Sequence, residues 1–293
     1  MSTQTALKMK MVTVENILLA TDFSKQSSVT VPFALSIAHK YGSKIFAAHV
    51  LPPPPLGSLP TLEVRALSAQ ALREAREKIK VLGHALGSVP NEELLRKGEV
   101  WDELSAILEE KNIDLIVLGT HGRAGVSKLL MGSVAETILR QSPCPVLTVG
   151  PNVSAEPGSV ADIHTILCPI DFTPDSLAAL PYAISLAQEN QARLYLMHVS
   201  PAPVFGPEET FLASRLKELV PPEAKLWCEP KVMVESGEAA DKILEEAEEL
   251  GIDVIVLGIR PVSTLAGTRT HLGMATAYRI VSRAICPVLS VRG

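Results

Sequence analysis

Short runs of apolar residues alternate along this chain with longer stretches in which apolar positions recur every three or four residues. The runs fall near residues 16–21, 44–50, 93–97, 114–118 and 145–149 in the first half. Apart from 93–97, which holds only Leu94 and Leu95, they are largely unbroken rather than alternating, the signature of strands buried on both faces. The amphipathic stretches predict helices near 28–41, 62–86, 101–111 and 133–141. In the first of these, Phe33, Ala34, Ile37, Ala38 and Tyr41 share one face at helical spacing. Ser24, Ser27 and Ser28 offer N-caps, and Gly42 follows as a stop. Strands separated by helix-length crossovers argue for a parallel sheet covered on both faces, an α/β doubly wound unit.

The pattern occurs twice. NILLATDFS (16–24) returns as TILCPIDFT (165–173), NIDLIVLG (112–119) as GIDVIVLG (251–258), and CPVLTVG (144–150) as CPVLSVR (286–292). FALSIAHKYGSKIFAAHV (33–50) matches YAISLAQENQARLYLMHV (182–199) in pattern. The chain is a tandem duplication, with GPNVSAEPGSVAD (150–162), rich in Pro, Gly and Ser, reading as the linker. The expected domains are residues 1–152 and 160–293. One segment departs from the repeat: LPPPPLGSLP (51–60) favours an extended polyproline conformation. It reads as a docking site for a proline-recognising partner or as a stiff connector, and its proline-bearing counterpart SPAPVFGPEE (200–209) favours the connector.

Chemistry concentrates in NIDLIVLGTHGRAGVSKLLMGSV (112–134): a strand, then Gly119, Gly122, Gly125 and Gly132, then a helix from Ser133. Strand, glycine-rich loop and helix start together point backbone N–H groups and a positive dipole end at one place, where phosphates bind well. The spacing is neither the P-loop, since no Gly-Lys-Ser/Thr follows, nor the dinucleotide fingerprint G-x-G-x-x-G. G-x2-G-x9-G-[ST] resembles the ATP-binding loop of the universal stress protein (UspA-like) family, and the likeness covers nearly all of both halves in a tandem form.

That resemblance implies a nucleotide site. The end of the first strand would supply Ala20, Thr21 and Asp22. Backbone at Val50 would read the adenine, and the loop contacts would be Leu118, Gly119, Gly122, Gly132, Ser133 and Val134. In open α/β sheets ligands sit at the carboxyl ends of strands where the strand order reverses; if the first and fourth strands are neighbours, Asp22 faces the loop across that crevice. Glycine at 119 and 122 would permit positive φ and close backbone approach. Gly132 and Ser133 would present N–H groups at a helix start carrying about half a positive charge, and the Ser133 hydroxyl adds a donor. ATP brings about four negative charges, against Arg123 and Lys128 nearby. Mg²⁺ would lessen that mismatch, with Asp22 as a direct or water-mediated ligand. Helix capping or strand-end hydrogen bonding competes for the same carboxylate. His49 and His198, each before a valine, read as structural residues, while His121 faces either phosphate or solvent.

The second half keeps Pro169 and Asp171 of the strand-end motif, and Val199 matches Val50. Its loop is altered. Gly258 persists, but Pro261 stands in the place of Gly122 and offers no N–H. Aligned on Cys-Pro-Val, Met274 and Ala275 replace Gly132 and Ser133; Gly267 and Gly273 lie off the family spacing. The first half is expected to bind ATP, and the second weakly or not at all.

Composition limits the alternatives. Over 293 residues, 47% are hydrophobic, 20% charged and 4% aromatic, so the core is aliphatic and no base-stacking platform is evident. A net charge of -5 argues against a nucleic-acid partner, which would want a basic face. No apolar run reaches the roughly eighteen residues of a membrane span, and no secretory h-region follows Lys8 and Lys10. Cys144, Cys168, Cys228 and Cys286 show no metal spacing and read as buried thiols of a cytoplasmic protein. With no G-x-S-x-G, paired catalytic carboxylates or Cys/His arrangement, catalytic machinery is not visible. The leading expectation is stress response or regulation through nucleotide-dependent conformation or association, with slow hydrolysis at most. An adenine-nucleotide enzyme (ATP hydrolase or nucleotidyl transferase) and a non-nucleotide interaction protein are the alternatives. The resemblance further implies intrachain pairing through PVLTV (145–149) and PVLSV (287–291), and leaves a homodimer open.

Overall fold

The computed structural model describes residues 12–53, 62–121, 131–156, 158–222, 224, 230–260 and 271–293. Contacts divide the chain into two compact units, Val14–Val149 with Ala155–Ala161, and Asp162–Gly293 with Gly150–Ser154. The segment read as a linker is thus divided between the units: Ala161 donates to the Pro32 carbonyl at 3.1 Å, and Val153 is buried.

The N-terminal unit runs β1 (Asn16–Ala20), α1 (Lys25–Ser28), α2 (Val31–Tyr41), β2 (Lys44–Leu51), α3 (Leu62–Ala85), β3 (Asn91–Lys97), α4 (Val100–Glu110), β4 (Leu115–Gly119), α5 (Ser133–Gln141) and β5 (Val146–Val149). Its strands lie in the order β3-β2-β1-β4-β5, and each pair from β3 to β5 is parallel. The chain builds outward from β1 to β3, then crosses back to place β4 on the other side of β1. Between β1 and β4 the order reverses, and Ala20 stands level with Ala48 and Leu118. The apolar runs are the centre of the sheet: Ile17, Leu18, Leu19, Ile45, Ile116 and Val117 are all but inaccessible.

The helix expected over 28–41 begins only at Val31, and a separate short helix, α1, ends at Ser28 before it. Pro32 has no N–H to give the Ser28 carbonyl, and its ring crowds that carbonyl; the β-branched Val29, Thr30 and Val31 ahead of it hold a helix poorly. Ser24 caps α1, accepting from the Ser27 amide, and Gly42 ends α2 in the left-handed region at φ 69°.

The C-terminal unit repeats the plan with β6 (Thr165–Pro169), α6 (Pro174–Asn190), β7 (Arg193–Ser200), α7 (Pro207–Glu218), β8 (Lys231–Ser236), α8 (Ala239–Glu249), β9 (Val254–Ile259), α9 (His271–Arg283) and β10 (Val288–Arg292). The order is β10-β9-β6-β7-β8, again parallel. Both units fasten the amino end of the central strands alike. The Asp114 carboxylate accepts from the amides of Glu15 and Asn16, each at 2.9 Å, and Asp253 accepts from His164 and Thr165 at 2.8 and 2.9 Å. No described helix is long and apolar enough to cross a membrane.

Candidate functional site

At the carboxyl ends of β1, β2 and β4, where the strand order reverses, the N-terminal unit holds a cavity of about 530 Å³. That lies within the range of small-molecule sites, roughly 300–1,000 Å³. Every described residue expected at the site lines it: Ala20, Thr21, Asp22, Val50, Leu118, Gly119, Gly132, Ser133 and Val134. Gly122, Arg123, Gly125 and Lys128 lie outside the described residues.

The turn after β1 is set by its own polar groups. Thr21 donates its amide to the Ala48 carbonyl at 2.9 Å and accepts the Phe23 amide on its hydroxyl at 3.0 Å. One oxygen of Asp22 accepts the Ser24 amide at 2.9 Å, so the strand-end hydrogen bond weighed against a ligand role is present while the residue still lines the cavity. Phe23 is driven to φ 59°, unusual for a residue with a Cβ. Its ring meets His49 at 4.4 Å, and His49 Nδ1 lies 2.7 Å from the Thr21 carbonyl. A carbonyl can only accept, so Nδ1 carries the proton. The second unit has the same clamp, with Phe172 at φ 61°, His198 Nδ1 at 2.8 Å from the Ile170 carbonyl and the two rings 5.0 Å apart. The structural reading of both histidines holds, although His49 also lines the cavity.

Two expectations about the glycines need correction. Gly119 is not in the left-handed region; it closes β4 in extended conformation, and the lack of a side chain there keeps the cavity open toward Gln26 and Ser27. The amide of Gly132 does not face a ligand, because it donates to the Thr120 carbonyl at 2.8 Å. A Cβ at Gly132 would sit 3.3 Å from that same oxygen, a close approach that favours glycine there. As N-cap it leaves the first turn of α5 without a side-chain cap, and Ser133, Val134 and Ala135 border the cavity at the positive end of the helix.

His121 lines the cavity rather than pointing to solvent. Its Nδ1 lies 2.8 Å from the Thr120 hydroxyl, and its buried Nε2 has no partner among the described residues. The other wall is apolar: Leu51 and Pro52 continue β2, and Val100 and Leu104 come from α4. Sequence reasoning missed the α4 pair, though their spacing of four residues on an amphipathic helix carried the signal. The described lining carries one carboxylate, two imidazoles and no lysine or arginine. Among the described residues no cluster of His, Cys, Asp and Glu could hold a metal by itself. A cation here would need oxygens from its ligand, with Asp22 as the available carboxylate.

The matching cavity of the C-terminal unit is smaller, about 280 Å³, and contains Pro169, Asp171, Val199 and Gly258. Arg260, which also lines it, reaches Asp175 at 3.3 Å and Asp171 at 3.8 Å, two further lining residues. Met274 and Ala275, aligned with the bare start of α5, fall inside α9, which already begins at His271. Pro261 and Gly267 lie outside the described residues.

The model of the universal stress protein family matches this chain twice, over residues 13–150 and 162–292. A universal stress protein of Methanocaldococcus jannaschii, MJ0531, is 32% identical over 139 residues, 46% of this chain and 81% of that protein. One from Thermus aquaticus is 36% identical over 139 residues, 46% of this chain and 98% of its own length. The crystal structure of a universal stress protein from Archaeoglobus fulgidus superposes with a TM-score of 0.69 at 23% identity, covering 94% of this chain and 98% of that one. This last likeness is one of fold.

Proposed function

This chain belongs to the universal stress protein family, with the family's domain present twice, and from that premise we propose that its N-terminal unit binds ATP and acts in stress response through nucleotide-dependent conformation or association. The observation carrying the reading is convergence: three strand ends and an uncapped helix start supply the expected residues to one cavity of suitable size. Its apolar wall of Val50, Leu51, Pro52, Val100 and Leu104 suits a purine, and the start of α5 suits phosphates. Mg²⁺ would be held by phosphate oxygens, with Asp22 as the protein's carboxylate. That ion would neutralise charge that the described lining, without lysine or arginine, does not meet. The C-terminal unit, with its smaller cavity spanned by Arg260, binds weakly or not at all.

Isothermal titration of the full chain with ATP and Mg²⁺ tests this. One site per chain is expected. Gly132→Glu, which sets a carboxylate at the start of α5, should weaken binding by roughly tenfold or more, the equivalent of about 1.4 kcal/mol. Two equivalent sites, or affinity indifferent to that substitution, would refute the reading. Rapid conversion of ATP to ADP or AMP would favour an enzyme instead.

A further inference from the structure

The two units differ in how the helix after the first strand sits against the glycine of the central strand. A Cβ built on Gly119 would lie 3.5 Å from the Gln26 carbonyl oxygen and 3.6 Å from the Ser27 Cα, ordinary contact distances. Built on Gly258, it would lie 2.1 Å from the Asp175 carbonyl oxygen and 2.5 Å from the Ser176 Cα. The repeat DFS/DFT aligns Gln26 with Asp175 and Ser27 with Ser176, so these are the same contacts at two separations. In the second unit the helix rests directly on the strand end.

The sequence supplies the reason. Both copies carry a proline at the same place, Pro32 and Pro181. Ahead of Pro32, Val-Thr-Val lets the helix break, and the buried Thr30 hydroxyl secures the break by donating to the Ser27 carbonyl at 2.6 Å. Ahead of Pro181 stand Ala178, Ala179 and Leu180, strong helix formers, and α6 runs unbroken from Pro174 to Asn190 despite the proline. A continuous rod packed on β6, β9 and β10 carries the docking of its far end to its first turn; a broken one does not. An ion pair adds to the closure, since Arg260, at the end of β9, holds Asp175 in the first turn of α6. The residues in those places in the first unit, His121 and Gln26, cannot form an ion pair with each other.

We propose that the helix break at Val29–Thr30 determines which unit takes a ligand: it holds α1 off Gly119 and keeps the N-terminal cleft deep, while the unbroken α6 and Arg260 close the C-terminal one. The ligand half of this statement rests on the nucleotide reading above; the helix half does not. The test transplants the second unit's residues, Val29→Ala, Thr30→Ala and Val31→Leu, into the full chain, and follows it by crystallography and by titration with ATP and Mg²⁺. The two helices should join, the gap between the Gln26 carbonyl and Gly119 should narrow, and ATP affinity should fall roughly tenfold or more while the fold, read by circular dichroism, is kept. A variant that keeps the break, or joins the helices without narrowing the gap, overturns the inference. So does one that narrows the gap and still binds ATP as wild type does. Wild-type protein that takes no nucleotide refutes the functional reading, and the crystallographic outcome then decides the helix seating by itself. Thr30→Ala alone, which removes only the hydroxyl, carries the same test if the triple variant does not fold, with roughly threefold weaker binding expected and none overturning it.

Discussion

Gly119→Ala and Gly258→Ala make the same change at equivalent places, and the geometry gives them unequal costs. Neither glycine has a positive φ, so the backbone accepts alanine at both. Within a strand that exchange by itself favours alanine by about 0.5–1 kcal/mol. At Gly119 the new methyl meets its nearest neighbour at 3.5 Å, and the net change should stay within about 1 kcal/mol. At Gly258 it would meet a main-chain carbonyl at 2.1 Å. A backbone oxygen cannot rotate away as a side chain could, so the first turn of α6 must withdraw by about 1 Å. The cost is that of overpacking, about 1–3 kcal/mol and more when a helix has to move. For a unit of this size each kcal/mol shifts Tm by about 3–5 °C, which puts Gly258→Ala roughly 3–15 °C below wild type and Gly119→Ala within about 5 °C of it. Scanning calorimetry of the full chain is the assay, because the two units need not melt as one transition. Equal shifts for the two variants, or a Gly258→Ala protein as stable as wild type, would refute the closer seating of α6.

Burial pushes the thiols of Cys168 and Cys286 up to about 12. Since the thiolate is the nucleophile, neither should react with an aromatic disulfide reagent near neutral pH until the chain is denatured; rapid labelling of either in native protein would contradict the packing described. At Asp171 burial works to raise the carboxyl pKa. Hydrogen bonds from Thr173 and Ser176 and the charge of Arg260 outweigh it and hold the group below its ordinary value. A depressed carboxylate stabilises the fold above its unfolded pKa, about 3.9, and loses that contribution as pH falls through the lower folded value. Asp171→Asn should therefore melt below wild type at neutral pH, with the difference closing as acid protonates the folded carboxylate, below its ordinary range. A gap that persists unchanged in acid would show that the charge is not responsible.

Much of this was legible because burial on both faces leaves apolar runs, and Gly119 and Gly132 mark where backbone approaches backbone. The runs marked the strands to within a residue or two, and the repeat of ATDF and PIDF marked the strand ends that border both cavities. What escaped depends on contacts between segments distant in sequence. The helix expected over 28–41 begins at Val31 and α1 before it was not expected; the break between them comes from three β-branched residues meeting a proline, a local conflict that periodicity does not register. Gly132 looked like a phosphate donor until its amide was found on the Thr120 carbonyl. Arg260 gave no signal, since an arginine in a loop is ordinary until two aspartates face it. Asp114 and Asp253 were visible as identities in the repeat, but the strand-start amides they hold could be assigned only with β1 beside β4 and β6 beside β9.

The histidine–phenylalanine clamp occurs in both halves, although the cavities beside it differ nearly twofold in volume. Removing either imidazole would take the donor from a part-buried main-chain oxygen and a ring partner from an aromatic residue in a twisted backbone, a penalty that falls on folding whatever the pocket contains. The two halves thus keep this turn alike while the residues lining the cavities beside it differ. What the halves share here is a contact whose loss falls on the fold; what sets them apart lies around the space beside it.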